Sequence, residues 1–175
     1  DIGQGVGIRR NLCQHTRRSD QIGADFVTRD YRELLMRPEV TAALISTVGH
    51  LHADPTLVAL ENPNKVALLI EKPLSNQLAD SEKVLGLIQQ AGVDALIGYT
   101  QRFRRRWLVA KEKVSTGALG DISTVTSRAF LNRLVAINNY QRESAPGLNS
   151  PMVISGTHAL DIVMWMMEGK TPVEI

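Results

Sequence analysis

The sequence is short of cysteine: Cys13 stands alone, so no internal disulfide can form. A lone thiol suits a reducing compartment, and the cytoplasm is the expected location. Long hydrophobic runs are missing too. None approaches the roughly 20 residues a helix needs to cross a bilayer, so no membrane partner is expected. The opening residues lack the apolar core of a secretory signal, and Arg9-Arg10 leads into Asn11 instead. Charge of one sign is scarce: 20 Lys and Arg against 18 Asp and Glu leave a net +2, too little to argue for nucleic acid. There is no internal repeat and no low-complexity segment. What remains is 43% hydrophobic and 22% charged over 175 residues, a globular composition with room for one domain or parts of two.

Asp30-Tyr31-Arg32-Glu33 has capping-box spacing and opens a short helix that stops near Pro38. Ala42 to Thr47 reads as a buried strand, and a helix covers Asp54 to Glu61 with Pro55 in its first turn. Val66-Ala67-Leu68-Leu69-Ile70 is apolar at every position, the pattern of a parallel strand covered on both faces. A helix from Gln77 to Gln90 follows, with Val84, Leu85, Ile88 and Ala91 on one face and Gly92 as its stop. Asp94 to Tyr99 makes a third strand. Alternating strands and helices with short links predict an α/β fold with a doubly wound parallel sheet. After Tyr99 the texture changes. A helix is expected over residues 102–116, a long segment rich in β-branched residues over 121–131, loop residues over 133–150, and a last helix over 156–168. The chain therefore divides into a doubly wound α/β domain over residues 1–100 and the beginning of a second domain over 101–175.

Ligands of doubly wound sheets bind beyond the carboxyl ends of the strands. Three such ends are polar here: Thr47 to His52, Glu71-Lys72-Pro73, and Tyr99-Thr100-Gln101-Arg102. A lysine beside a glutamate in a cleft can hold a tuned pKa; the same residues also suit a loop with a surface ion pair. Thr16, Arg17 and Arg18 supply charge and hydroxyl donors of the kind that hold the 2′-phosphate of NADP, whereas an acid would suit NAD. A solvated basic turn would look the same. Gly3, Gly5 and Gly7 do not fit the dinucleotide fingerprint, because only Asp1 and Ile2 precede them and Gln14 follows too soon. The sheet is expected to lack its first strand and phosphate loop. On the last helix His158, Asp161 and Trp165 share a face, with Leu160, Val163, Met164 and Met167 turned away. The polar stripe suits an oriented acid/base or an ordinary capped helix start. No metal is expected, since no second histidine or cysteine lies at ligand spacing.

The run of segments from Asp30-Tyr31-Arg32-Glu33-Leu34-Leu35 through Thr47 to His52, Glu71-Lys72-Pro73-Leu74, Gly98 to Phe103, Gly117-Ala118-Leu119-Gly120 and Gly156 to Asp161 resembles the Gfo/Idh/MocA family of oxidoreductases. The resemblance implies a Rossmann domain followed by an α+β domain with a large open sheet, often used for homo-oligomer contacts. It implies that Lys72 lies by nicotinamide and substrate, Glu71 near the nicotinamide ribose, Thr47 and His52 along the cofactor, and Gln101-Arg102 at its far side. His158 matches the family's acid/base histidine, and Asp161 the acid after it. Val48-Gly49 replaces a frequent Pro-Asn, and Ile154 stands where several sugar dehydrogenases carry an aspartate.

The expected function is hydride transfer between NADP or NAD, with NADP favoured, and a sugar-like or cyclic alcohol. Lys72 and His158 are the catalytic pair, and Lys72, His158 and Asp161 meet the substrate. The rivals are a Rossmann protein that senses a nicotinamide cofactor without turnover, and a hydrolase or lyase using a tightly held nicotinamide transiently.

Overall fold

The computed structural model describes residues 26–130, 132–134 and 152–174. Thr16, Arg17 and Arg18, the glycines at 3, 5 and 7, Cys13 and most of the loop expected over 133–150 lie outside these residues. The chain divides into two compact units, with the division between Gly98 and Tyr99.

The first unit is built on three parallel strands, β1 (Ala42–Ile45), β2 (Ala67–Ile70) and β3 (Ala95–Ile97), side by side in sequence order. Leu44 pairs with Leu69, and Leu69 with Leu96, which fixes the register across the sheet. Helix α1 (Tyr31–Leu35) precedes the sheet, α2 (Ala53–Leu60) links β1 to β2, and α3 (Leu78–Ala91) links β2 to β3. Each strand was legible as an apolar run, and each observed strand falls inside its expected range.

The capping chemistry at α1 is rearranged. Asp30 caps as expected, its carboxylate accepting from the Arg32 amide at 2.9 Å. Glu33 does not reach back to the Asp30 amide. Thr28 stands between them: its hydroxyl accepts from that amide at 3.1 Å and donates to Glu33 at 2.7 Å. At the other end, buried Asn62 donates to the Leu35 carbonyl at 2.7 Å, capping the end of α1, and more weakly to that of Arg37 at 3.4 Å, which also accepts from the Val40 amide at 3.1 Å.

Leu35, Val40, Ile45, Ala59, Val66, Leu68, Ile70, Val84 and Ile88 form one buried cluster. Each large member contributes roughly 1.5–3 kcal/mol by leaving water. All come from one face of the sheet and the helices over it. The other face differs from the expectation of two-sided cover: Leu44, Leu69 and Leu96 are 59%, 41% and 50% exposed. The strand order explains this. Successive right-handed crossovers running in one direction lay α2 and α3 on the same side, where they pack together. Leu85 likewise points outward, so α3 buries only Val84 and Ile88.

The second unit holds a 3-10 turn at Thr100–Phe103, α4 (Arg105–Ser115), and a π-turn at Met152–Gly156 that leads into α5 (Thr157–Met166). The β-branched segment 121–130 forms neither helix nor strand. A strand needs a partner ladder for its amides and carbonyls, and the described residues of this unit contain no strand to supply one. No helix among the described residues is long and apolar enough to cross a membrane. Nor do the described residues contain a group of three or more His, Cys, Asp or Glu able to hold a metal.

Candidate active site

Parallel strands end together, so β1, β2 and β3 deliver Thr47, Glu71 and Gly98 to one edge of the first unit. The ladder runs to that edge: the Glu71 amide donates to Ile45 at 2.8 Å and the Gly98 amide to Ile70 at 2.7 Å. Gly98 is buried there, and a Cβ on it would lie 3.3 Å from the Ile70 carbonyl oxygen and 3.5 Å from the Cα and carboxyl carbon of Glu71. Its lack of a side chain lets Glu71 lie close against β3.

Glu71 folds its carboxylate over its own chain, accepting from the Lys72 amide at 3.0 Å. Lys72 is partly buried and is followed by a cis peptide bond to Pro73. Burial draws the Lys72 ammonium below the ordinary lysine range, and the neighbouring Glu71 charge works in the opposite direction. The exposed Thr47 hydroxyl donates to the Leu51 carbonyl at 3.0 Å. An ammonium, a carboxylate and a hydroxyl along one sheet edge form a donor and acceptor set suited to ribose hydroxyls and a carboxamide. His52 stands apart from that set. It is 1% exposed, with Nδ1 2.5 Å from the Pro73 carbonyl oxygen and Nε2 3.0 Å from that of Thr47.

In the second unit, Arg102 and Asp161 are brought together. Arg102 Nε donates to both carboxylate oxygens of Asp161, at 3.1 and 2.9 Å, and Nη2 donates to Oδ1 at 2.5 Å. The Asp161 side chain is 6% exposed and that of Arg102 40%. Hydrogen bonding to Asp161 holds the guanidinium charged even more firmly than usual, against the cost of burial. The same guanidinium lies 5.6 Å from the Trp165 ring centre and 5.9 Å from that of Tyr99. Gln101 sits beside it in the 3-10 turn, its carbonyl accepting from the Arg104 amide.

The buried face of α5 is not the one expected. Asp161, Ile162 and Met166 are buried, while Leu160 and Met164 are 54% and 41% exposed. The polar stripe turns inward because charged partners meet it: Arg102 at Asp161, and Lys111, which donates to the Trp165 carbonyl at 2.7 Å and to Glu168 at 2.8 Å. His158 lies on that inner side with Tyr99 edge-on to it, ring centres 6.5 Å apart at 87°. Tyr99 also accepts a hydrogen bond from Thr157 at 3.4 Å. Tyr99 was missed as a neighbour of His158, although its place just after the third strand was a usable signal.

The Gfo/Idh/MocA family, described as an oxidoreductase family with an NAD-binding Rossmann fold, matches residues 8–99. An inositol 2-dehydrogenase from Salmonella typhimurium is 27% identical over 141 residues, which is 79% of this chain and 38% of the relative. A probable dehydrogenase from Thermotoga maritima has a similar fold, with a TM-score of 0.73 at 24% identity, covering 87% of this chain and 44% of that one. A scyllo-inositol dehydrogenase from Lactobacillus casei, solved with NAD(H) and scyllo-inositol, gives a TM-score of 0.71 at 20% identity over 85% of this chain and 43% of that one. The chain thus spans about two fifths of the length of the proteins it matches. Since the family match covers more than half of its residues, including all three strands and the Glu71-Lys72-Pro73 turn, the chain belongs to the Gfo/Idh/MocA family of NAD-binding Rossmann-fold oxidoreductases.

Proposed function

We propose that this chain forms the cofactor-gripping and substrate-facing part of a nicotinamide-dependent dehydrogenase acting on a CH–OH group of a sugar-like or cyclic alcohol. The observation that carries the reading is the Glu71–Lys72 pair. Its ammonium is drawn down by burial at the sheet edge where α/β folds hold their ligands. The names of the inositol dehydrogenase relatives support a cyclic polyol as the substrate class. Ile154, in place of an acid, argues for a polyol other than inositol.

When bound, the nicotinamide supplies the hydride chemistry. Thr47, Glu71 and Lys72 orient its ribose and carboxamide, and Gln101 and Arg102 serve its far side. Lys72 hydrogen-bonds the reacting oxygen and stabilises negative charge developing there. His158 takes or returns the hydroxyl proton, a task suited to a group titrating near neutral pH. Asp161 meets the substrate only by sharing its carboxylate with Arg102, and its main work is to hold that guanidinium. Thr16, Arg17 and Arg18 contact the 2′-phosphate and set a preference for NADP over NAD. Residues 1–100 act as the cofactor domain and 101–175 as the start of the substrate domain, in a homo-oligomer working in the reducing cytoplasm.

Absorbance of the reduced nicotinamide, followed with a panel of sugars and cyclic alcohols, tests the reading. Lys72→Ala is expected to lower turnover roughly 100-fold or more, on the scale of acid/base groups; near-native turnover removes Lys72 from the mechanism. Tight cofactor binding with no substrate oxidised would favour a sensor instead. Arg17→Ala is expected to erase the NADP preference, and an unchanged ratio of the two affinities overturns that assignment.

A further inference from the structure

His52 is almost wholly enclosed just after the end of β1, and its surroundings are unusual. Both ring nitrogens face backbone carbonyl oxygens, Pro73 at 2.5 Å from Nδ1 and Thr47 at 3.0 Å from Nε2. Carbonyls only accept. Either neutral tautomer makes one of these an N–H···O bond, and the doubly protonated ring makes both. With both nitrogens so placed and the ring 1% exposed, the imidazole has no edge to offer a ligand. Its own backbone is pinned as well: the His52 carbonyl accepts from the Thr56 hydroxyl at 2.8 Å and the Thr56 amide at 3.3 Å. One residue therefore ties together the turn after β1, the first turn of α2, and the carbonyl of the residue that directly follows Lys72.

We propose that His52 is a positioning residue: by gripping the Pro73 carbonyl through Nδ1 it fixes the Glu71-Lys72-Pro73 turn, and with it the direction in which the Lys72 stem leaves β2. The proposal rests on the reading of Lys72 as the working ammonium, yet its consequence for Lys72 can be observed without any turnover. The Thr47 contact plays a lesser part, because it anchors the ring to β1 rather than to the turn.

Two amides separate the contacts. In His52→Asn the side-chain nitrogen falls where Nδ1 was and keeps the Pro73 bond; in His52→Gln it falls where Nε2 was and keeps only the Thr47 bond. His52→Phe keeps the ring volume and loses both. The readout is the titration of Lys72 in the whole chain, followed by NMR on 13C-methylated lysines, together with kcat and KM. The Gln and Phe variants are expected to move the Lys72 midpoint upward toward the ordinary lysine value and to lower kcat about 10–100-fold, the scale of a 1 Å misplacement. Asn should leave the midpoint near that of the native chain. Equal behaviour of Asn and Gln, or an unmoved Lys72 midpoint in a folded Phe variant, overturns the proposal. Should the variants fail to fold, the native chain decides: the His52 Nδ1–H is expected to exchange with solvent far more slowly than the ring N–H of free imidazole at the same pH, and equal rates overturn the assignment. If Lys72→Ala keeps turnover while the Lys72 midpoint still follows His52, the enzymatic reading fails and the positioning role stands.

Discussion

Lys72 feels two opposed influences, and their balance gives a sign. Burial lowers its proton affinity more than Glu71 raises it. Between the folded midpoint and the higher unfolded one, the unfolded chain holds more protons, so stability rises with pH across that window. Below it the folded state carries the full cost of a half-buried ammonium. Lys72→Met is therefore expected to raise stability at neutral pH and to flatten the rise toward alkaline pH. Urea unfolding of both chains at pH 7 and 10 measures this, and parallel changes in the two would contradict it. Arg102 and Asp161 show the opposite economy. The carboxylate is nearly sealed and accepts three short bonds from one guanidinium. Asp161→Ala should cost about 1–3 kcal/mol by thermal unfolding, the usual range for a lost partner of a buried polar group. Loss of Glu168, which is exposed beside Lys111, should register far less.

Helix α3 contains two glycines whose replacement should act in opposite directions. Gly92 closes the helix at φ 61°, with its amide donating to Ile88 and Gln89. Nothing but the Lys65 ammonium, at 4.0 Å, approaches a Cβ there, so the cost of Gly92→Ala is conformational, about 1–2 kcal/mol. Gly86 sits in the exposed interior of the same helix with open space around it, and Gly86→Ala should stabilise by about 0.5–1 kcal/mol. Unfolding midpoints of the two variants moving the same way would refute this account.

Elements were also the scale at which the sequence was most readable. The strand runs announced themselves because parallel strands need apolar residues in succession, and Gly92 was identifiable as a stop because few other residues tolerate a positive φ. The inward face of α5 was hidden, since the charges that meet it come from afar: Arg102 lies 59 positions before Asp161, and Lys111 lies 54 before Trp165. His52 was hidden for the same reason. The family resemblance, rather than its spacing, implies a place along the cofactor, and the carbonyl that its Nδ1 meets belongs to Pro73, 21 residues on. The segment 121–130 is rich in β-branched residues yet forms no strand, because β-branching favours a strand but does not provide one with a neighbour.

On the scale of the whole first unit, the sheet is strongly sided. Ile70 is fully buried and Leu69, the next residue back, is 41% exposed. Ile70→Ala should cost roughly 2–5 kcal/mol through the cavity it leaves. Leu69→Thr should stay within about 0.5 kcal/mol, as surface changes do. Denaturant midpoints of the pair measure the difference, and a comparable loss from Leu69→Thr would mean that both faces are packed.

The sequential strand order bears on how the unit assembles. Ala42 meets Ala67, 25 positions later, and Leu68 meets Ala95, 27 positions later. Loops of such similar length differ in closure entropy by less than about 0.1 kcal/mol. Neither pairing therefore has a head start from topology, and β2, common to both, can template its two neighbours in either order. Which half zips first is left to side-chain chemistry, and the nucleus should be movable from one half to the other by substitutions in α2 or α3 that leave the final architecture untouched.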